Sequence, residues 1–294
     1  MHVTANRLQI EIDVQGPADG PPLLLIMGLG MPLVGWPEEL VALLVQRGIR
    51  VIRLDNRDAG LSQGFEAFGV PSLTAASLRY LLHLRVPCAY TLADMAADAL
   101  GVLDVLGIAS AHVCGASMGG MIAQHLAAMH PQRVKSLALI MTTSGNRRLP
   151  QPRFAVRQAL LKRPASQQVD AVVAHLEGLL RVIGSPAYPA DPLQQHQRLT
   201  AMVRRAWRPD GTVRQLLAVA ADGDRSALLG RIRAPTRIIH GQADPLVPVA
   251  AAHDLQRKIG GASVEIIPGM GHDLPQALLP RLATVLAGHL QASA

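Results

Sequence analysis

The sequence predicts a doubly wound, mostly parallel α/β sheet with an inserted helical cap. Continuous apolar runs, typical of strands covered on both faces, alternate with amphipathic helical patterns in the first half of the chain. The alternation stops near residue 145, where proline-broken helical patterns begin, and it resumes near residue 233. We therefore predict a core in two parts, residues 1–144 and 233–294, and a helical cap formed by residues 145–232.

The composition is that of a folded globular protein. Hydrophobic residues make up 49% and charged residues 17% of the 294 residues, which excludes a disordered chain. Cys88 and Cys114 are too few for a disulfide framework, so we expect free thiols in a reducing compartment. The N-terminus lacks a signal-peptide pattern, and glycines and prolines interrupt the longest apolar stretch, residues 23–36. We expect a cytoplasmic protein, monomeric or homodimeric, without stable membrane insertion.

The positive charge of the chain is concentrated in the predicted cap. The net charge is +7, and residues 146–233 contain 15 Lys and Arg against 6 Asp and Glu. No nucleic-acid-binding motif or aromatic-rich basic stripe accompanies this excess, so we expect no nucleic-acid partner. The basic residues are explained either by exposed helix faces or by a cap that attracts anionic substrates or interfaces.

The elements before residue 107 follow from their apolar spacing. Residues 8–15 alternate apolar and polar side chains, as a half-buried antiparallel edge strand does. Residues 21–27 and 51–54 have the continuous apolar character of buried parallel strands. A helix is predicted for residues 37–47 and another from the N-cap Thr91 to residue 106; glycine follows each of them.

The later elements continue the alternation on both sides of the cap. The first part of the core is predicted to end with a strand before Ser117, a helix over residues 117–129 and a strand over 134–141. The second part has strands over residues 235–240 and 263–267, and helices over residues 249–259 and 274–290.

Ser117 occupies a position suited to a nucleophile. Residues 112–116 form the preceding strand, the sequence Gly115-Ala116-Ser117-Met118-Gly119 makes a Gly-x-Ser-x-Gly turn, and a helical pattern follows. A serine on a sharp strand-to-helix turn presents its hydroxyl above the sheet, close to a helix N-terminus that favours negative charge. The turn crowds the neighbouring residues, so glycine is needed two residues before and two after the serine.

Two residues in late turns complete a candidate catalytic set with Ser117. A serine hydroxyl needs a neighbouring base, and the base needs an acid that orients it. Asp244 follows the strand over residues 235–240, and His272 follows the strand over residues 263–267. The carboxyl ends of parallel strands meet at the edge where open α/β sheets bind ligands, so we expect the three residues to converge there.

The other histidines and the acids lack a comparable arrangement. His125 and His130 lie along the helix after Ser117 and are predicted to point away from the strand ends, while His240 is assigned a structural role near Asp244. Asp273 follows His272 too closely to orient it well. No spacing of histidines, cysteines and acids indicates a metal site, and we expect neither a metal nor a cofactor.

Backbone amides are predicted to stabilise the oxyanion of an acyl-transfer reaction. One donor is the N–H group of Met118, and the other is that of Leu29, with Gly28 as the alternative. Gly28, Trp36 and Trp207 are candidates for substrate contact. Met118 and Tyr80 are further candidates for an apolar pocket lining, although ordinary helix packing explains Tyr80 and Trp207 equally well.

Four segments carry a family resemblance: MGLGMPLVGWPEEL, VIRLDNRDAGLS, AHVCGASMGGMIAQ and IPGMGHDLP. They resemble the α/β-hydrolase superfamily, and within it the bacterial serine esterases of the aclacinomycin methylesterase type. The resemblance implies an eight-stranded sheet, Ser117 as nucleophile, Asp244 as acid, His272 as base and a cofactor-free hydrolysis. Residues 55–60 match a loop of the family and are interpreted as structural.

The sequence therefore predicts a serine carboxylesterase that acts on a small hydrophobic ester. Two other enzyme classes use the same three residues: cofactor-free perhydrolases or haloperoxidases, and hydrolases of C–C bonds next to ketones. Peroxide-dependent bromination would identify the first of these. A non-catalytic ligand-binding protein on the same fold is the remaining alternative, which the intact set of three residues disfavours.

Overall fold

The computed structural model describes residues 1–293, and within them one eight-stranded sheet forms the centre of the molecule. Its spatial order is β1-β2-β4-β3-β5-β6-β7-β8. The strands are β1 (His2–Ala5), β2 (Leu8–Gln15), β3 (Pro22–Ile26), β4 (Arg50–Leu54), β5 (Ala111–Ala116), β6 (Val134–Ile140), β7 (Thr236–Gly241) and β8 (Ser263–Ile267).

The helices surround this sheet and form the segment between β6 and β7. They are α1 (Glu38–Val45), α2 (Leu73–Leu81), α3 (Leu92–Val105), α4 (Met118–Met129), α5 (Phe154–Leu161), α6 (Val169–Ile183), α7 (Pro192–Arg205), α8 (Pro209–Asp222), α9 (Ser226–Leu229), α10 (Ala250–Lys258) and α11 (Leu279–Gln291). Single 3-10 turns lie at Leu33–Gly35, Glu66–Phe68, Pro131–Arg133 and Gln276–Leu278.

The strand directions confirm the predicted doubly wound, mostly parallel sheet. Each pair from β4 through β3 to β8 is parallel, whereas β2 runs antiparallel to β1 and β4. The prediction that residues 8–15 form an edge strand is wrong, because β1 pairs with their outer side. β1 has four residues, too few for a recognisable alternation, and only the structure shows it.

Both faces of the sheet are buried. In β3, Leu24 and Ile26 join the hydrophobic cluster that contains α3 and α4, whereas Leu23 and Leu25 join the cluster that contains α1 and α11. Successive side chains of a strand point to opposite faces, so a strand covered on both sides must be apolar at every position. This explains why β3 has no polar position in its interior.

Local sequence signals predict the start of α3 correctly and the start of α11 less accurately. Thr91 accepts from the Asp94 amide, and the Asp94 carboxylate accepts from the Thr91 amide, which forms a capping box at the start of α3. α11 begins at Leu279 with Pro280 in its first turn, five residues after the predicted start at residue 274. α2, which the periodicity did not indicate, begins after the N-cap Ser72.

The predicted cap segment contains α5 to α9, and its described residues form no strand. Arg214 of α8 attaches this segment to the core through Asp58: its Nε and Nη2 atoms lie 2.7 Å from the two carboxylate oxygens. The Tyr90 hydroxyl and the Phe65 amide also donate to Asp58. Burial raises the pKa of Asp58, but the hydrogen bonds from Arg214 and Tyr90 outweigh burial and lower it overall.

Other buried polar contacts also connect the cap segment to the core. His125 of α4 lies 2.7 Å from the Asp222 carboxylate at the end of α8, which gives this histidine a structural partner. Arg225 donates to Gln124 and to the Thr143 carbonyl, so it connects the last part of the cap segment with α4 and with the core residues just before the cap. The two cysteines form no disulfide within residues 1–293. No helix in that range is long and apolar enough to cross a membrane.

Candidate active site

The structure places Ser117 on a strained turn between β5 and α4. Its backbone has φ 53° and ψ −118°, a region that a residue with a side chain rarely adopts. A Cβ atom on Gly115 would lie 2.3 Å from the Gly119 carbonyl oxygen, and one on Gly119 would lie 2.0 Å from the Ile26 carbonyl oxygen. These close approaches explain physically why glycine is required on both sides of the serine.

Ser117, His272 and Asp244 form one hydrogen-bonded chain. The His272 Nε2 atom lies 3.0 Å from Ser117 Oγ, and Nδ1 lies 2.7 Å from Asp244 Oδ2. A carboxylate only accepts hydrogen bonds, so Nδ1 carries the proton and Nε2 is left to accept from the serine hydroxyl. The arrangement therefore has the tautomer and the direction that proton transfer from Ser117 to His272 requires.

The loop after β7 holds Asp244 in a fixed orientation. Asp244 Oδ1 accepts from the amides of Leu246 (2.9 Å) and Val247 (2.8 Å), which leaves Oδ2 for His272. His240 Nε2 donates to the Val247 carbonyl oxygen at 2.7 Å and so closes the same loop. Burial lowers the pKa of His240, which keeps the ring neutral beside Asp244 and supports the structural role assigned to it.

The end of α6 holds the loop that carries His272. The His272 amide donates to the Ile183 carbonyl at 2.7 Å, and the Gly271 amide donates to Ser185 Oγ at 2.8 Å. The Ser185 hydroxyl donates in turn to Asp273, and burial raises the pKa of that carboxyl. The cap segment thus contributes directly to the position of the candidate base.

The loop after β3 and the start of α4 carry the two backbone amides that are candidates for binding an oxyanion. A Cβ atom on Gly28 would lie 3.8 Å from Ser117 Oγ, so the loop after β3 passes beside the serine. In the described part of the chain, neither the loop amide of Leu29 nor the Met118 amide at the start of α4 donates to a backbone acceptor in a turn or loop. Both amides remain the candidates for the oxyanion donors.

Gln215 of α8 holds this loop from the cap side. Its Oε1 atom accepts from the Gly30 amide at 2.8 Å, and its Nε2 atom donates to the Arg57 carbonyl at 2.7 Å. Gln215 is completely buried, so both contacts are shielded from water. Neither Gln215 nor Ser185 belongs to a recognisable motif, which is why the sequence did not indicate them.

The three candidate substrate-contact residues occupy different environments. Gly28 lies beside Ser117. Trp207 is half-buried and, like Met31 and Val34, packs against the hydrophobic cluster formed by α6 and α7. Its indole N–H donates to Gln167. Trp36 has no accessible surface and packs with the core residues under α1 and α11, so the structure gives no support for a substrate contact there. Its large apolar ring fills the core instead.

Together, the parallel sheet and the hydrogen-bonded residues Ser117, His272 and Asp244 at its carboxyl edge are typical of a hydrolase-type α/β protein. Residues 21–275 match the family model described as the alpha/beta hydrolase fold. The chain belongs to this family.

Known proteins similar to this chain include two esterases and a lactonase. Rhodomycin D methylesterase of Streptomyces peucetius is 30% identical, over 94% of this chain and 93% of its own length. The pimeloyl-[acyl-carrier protein] methyl ester esterase of Chromobacterium violaceum is 31% identical, over 67% of this chain and 78% of its own length. The crystal structure of the enol-lactonase from Burkholderia xenovorans superposes with a TM-score of 0.72 at 22% identity, covering 99% and 100% of the two chains. This last likeness concerns the fold.

Proposed function

We propose that the protein is a serine hydrolase that cleaves carboxylic esters through an acyl-enzyme on Ser117. The observation that carries the proposal is the continuous hydrogen-bonded chain from Ser117 Oγ through His272 to Asp244. The family membership and the esterase relatives support the same reaction class. Both relatives named above are methyl ester esterases by name, so we propose methyl and other small-alcohol esters as the substrate class.

The proposed reaction has two halves that use the same groups. Ser117 Oγ attacks the ester carbonyl while His272 Nε2 takes the hydroxyl proton, and Asp244 stabilises the imidazolium that forms. The Leu29 and Met118 amides bind the tetrahedral oxyanion, and one such donor contributes about 3 kcal/mol of transition-state stabilisation. His272 then protonates the leaving alcohol. Water repeats the sequence on the acyl-enzyme and releases the acid.

Labelling with a fluorophosphonate tests the nucleophile directly. We expect one phosphonyl group per chain, which peptide mass spectrometry locates on Ser117, together with methanol release from simple methyl esters by the unlabelled protein. The variant His272→Ala is expected to label far more slowly, since the base is missing. Labelling of another residue, or equal labelling rates in His272→Ala and the unmodified protein, would contradict the proposal.

Removing the Gln215 side chain is expected to reduce turnover through the oxyanion loop. The variant Gln215→Ala loses the acceptor of the Gly30 amide, so we expect kcat to fall about tenfold to hundredfold with little change in KM. Steady-state kinetics on a short p-nitrophenyl ester separate the two constants.

Gln124 provides a matched control for this variant. It is also completely buried, and it bonds Arg225 and the Thr143 carbonyl instead of the oxyanion loop. We expect Gln124→Ala to lose comparable stability and to keep its kcat. If both variants lower kcat equally, Gln215 acts through general stability and not through the loop.

A further inference from the structure

Two segments of the chain combine basic residues with a complete absence of acidic ones. Residues 67–93 and 142–169 contain 8 Lys and Arg and no Asp or Glu. They include α2 and α5 with their flanking loops. Seven of the eight basic side chains are exposed and Arg147 is half-buried. Surface charges of both signs normally intermix, so this separation requires an explanation.

The two segments lie side by side in the structure. Arg147, before α5, donates to the Tyr80 carbonyl at 3.1 Å, and its guanidinium lies 4.0 Å from the centre of the Tyr80 ring at the end of α2. Arg163, after α5, lines a shallow depression together with residues 70–74 at the start of α2. These contacts place the two segments next to each other. Asp210 of α8 also lines the depression.

This surface also exposes many large apolar side chains. They are Phe68, Val70, Leu78, Leu81, Leu82, Leu84, Phe154, Leu160 and Leu161. We use the name basic–apolar face for these nine residues and the eight basic residues of the same two segments. Exposed apolar side chains grouped in this way mark interaction surfaces, whereas single ones are ordinary.

The opposite side of α2 is packed against the cap. Ala76 of α2, Val86 and Leu217 of α8 form a small buried cluster. Arg214 and Gln215 of the same α8 bind the core at Asp58 and Gly30. α8 therefore lies between α2 and the loop beside Ser117, and the exposed residues of the face make no hydrogen bond with Ser117, His272 or Asp244.

We propose that the basic–apolar face docks on the headgroup region of an anionic lipid bilayer. Leucine and phenylalanine side chains enter the boundary between headgroups and acyl chains, while arginine and lysine pair with lipid phosphates. A second copy of the chain is a poor occupant, because two faces whose charged residues are mainly basic repel each other. Docking of this kind needs no spanning helix, and it accounts for the positive excess of the cap.

Vesicle flotation of the full chain tests this proposal. The variant Ser117→Ala serves as background, so that lipid hydrolysis does not complicate the assay and the outcome is independent of the proposed esterase activity. We expect little binding to phosphatidylcholine vesicles and clear binding once about a third of the lipid is phosphatidylglycerol. Binding should weaken as salt is raised, because salt screens exposed charges.

Paired variants locate the binding surface. Leu81 and Leu161 are 72% and 57% exposed on the basic–apolar face, whereas Leu193 is 66% exposed on α7 outside it. The double variant Leu81→Ser, Leu161→Ser should bind about tenfold more weakly, and Leu193→Ser should bind normally. Arg157→Glu should lose at least about fivefold in affinity, whereas Arg233→Glu, a charge reversal at an exposed position outside the face, should lose far less.

Several outcomes would overturn the proposal. One is equal binding to neutral and anionic vesicles, and another is equal loss in the face variants and their controls. Binding to poly-glutamate but not to anionic vesicles would identify an acidic polypeptide as the partner. A dimer in analytical ultracentrifugation that Leu81→Ser dissociates would identify a second copy.

Discussion

Replacement of Ser117 by alanine is expected to lower kcat for a short p-nitrophenyl ester by about 10⁵-fold. The variant keeps the oxyanion amides and His272 but lacks the atom that forms the acyl-enzyme, and loss of one member of such a chain removes nearly all of its joint contribution. Stopped or steady-state assays with purified protein, at concentrations high enough to detect residual turnover, measure the effect. Active-site titration excludes contamination by unmodified enzyme.

Folding controls keep this result interpretable. The alanine variant loses only the contact between Ser117 Oγ and His272. The hydrogen bonds from the Ser117 amide to Ile140 and from the Thr142 hydroxyl to the Ser117 carbonyl are kept. We therefore expect thermal unfolding within a few degrees of the unmodified protein. Ser263→Ala, at an exposed position on β8, should leave kcat unchanged. Near-normal turnover by Ser117→Ala would refute the acyl-enzyme and leave a binding role on the same fold.

Removal of the Arg214 guanidinium is expected to cost about 3–5 kcal/mol of unfolding free energy. Arg214→Met leaves the completely buried Asp58 without its bidentate partner, and an uncompensated buried charge is expensive. Urea denaturation followed by circular dichroism gives the change. We expect the double variant Arg214→Met, Asp58→Asn to regain part of the loss, because it removes the buried charge as well. Asparagine suits the φ of 66° at this position.

A surface ion pair is the matched control for this prediction. Arg133 bonds Asp104, whose side chain is 56% exposed, so Asp104→Ala should cost less than about 1 kcal/mol. If Arg214→Met is no more destabilising than Asp104→Ala, α8 is not anchored as described.

The folded pKa of Asp58 lies below its ordinary value of 3.8. Its contribution is therefore complete above that pH and is lost as the pH falls through the lowered value.

Much of the candidate site could be predicted because its demands are local. The strained turn at Ser117 requires glycine at two fixed spacings, and Asp244 and His272 each follow a recognisable strand. Parallel strands end at one edge, so sequence order alone places the three residues together. The structure brings them to hydrogen-bonding distance.

Other features depend on contacts between distant segments. β1 was missed because four residues carry too little periodicity. Trp36 was wrongly predicted to line a pocket, because its burial depends on packing against α1 and α11, which the sequence does not show. Gln215 and Ser185 are ordinary polar residues of the cap, and they matter only because α8 and α6 fold back on the loops of Gly30 and His272.

The sequence by itself determined the sheet and predicted the helical insertion and the three residues of the candidate site, since periodicity and turn chemistry act over a few neighbouring residues. Only the tertiary structure shows which cap residues hydrogen-bond the loops of that site and which surface carries the positive charge of the cap. The reason is physical: hydrogen bonds such as the one between Gly30 and Gln215, which are 185 residues apart, and surfaces built from separate segments arise from packing geometry. No local pattern encodes them.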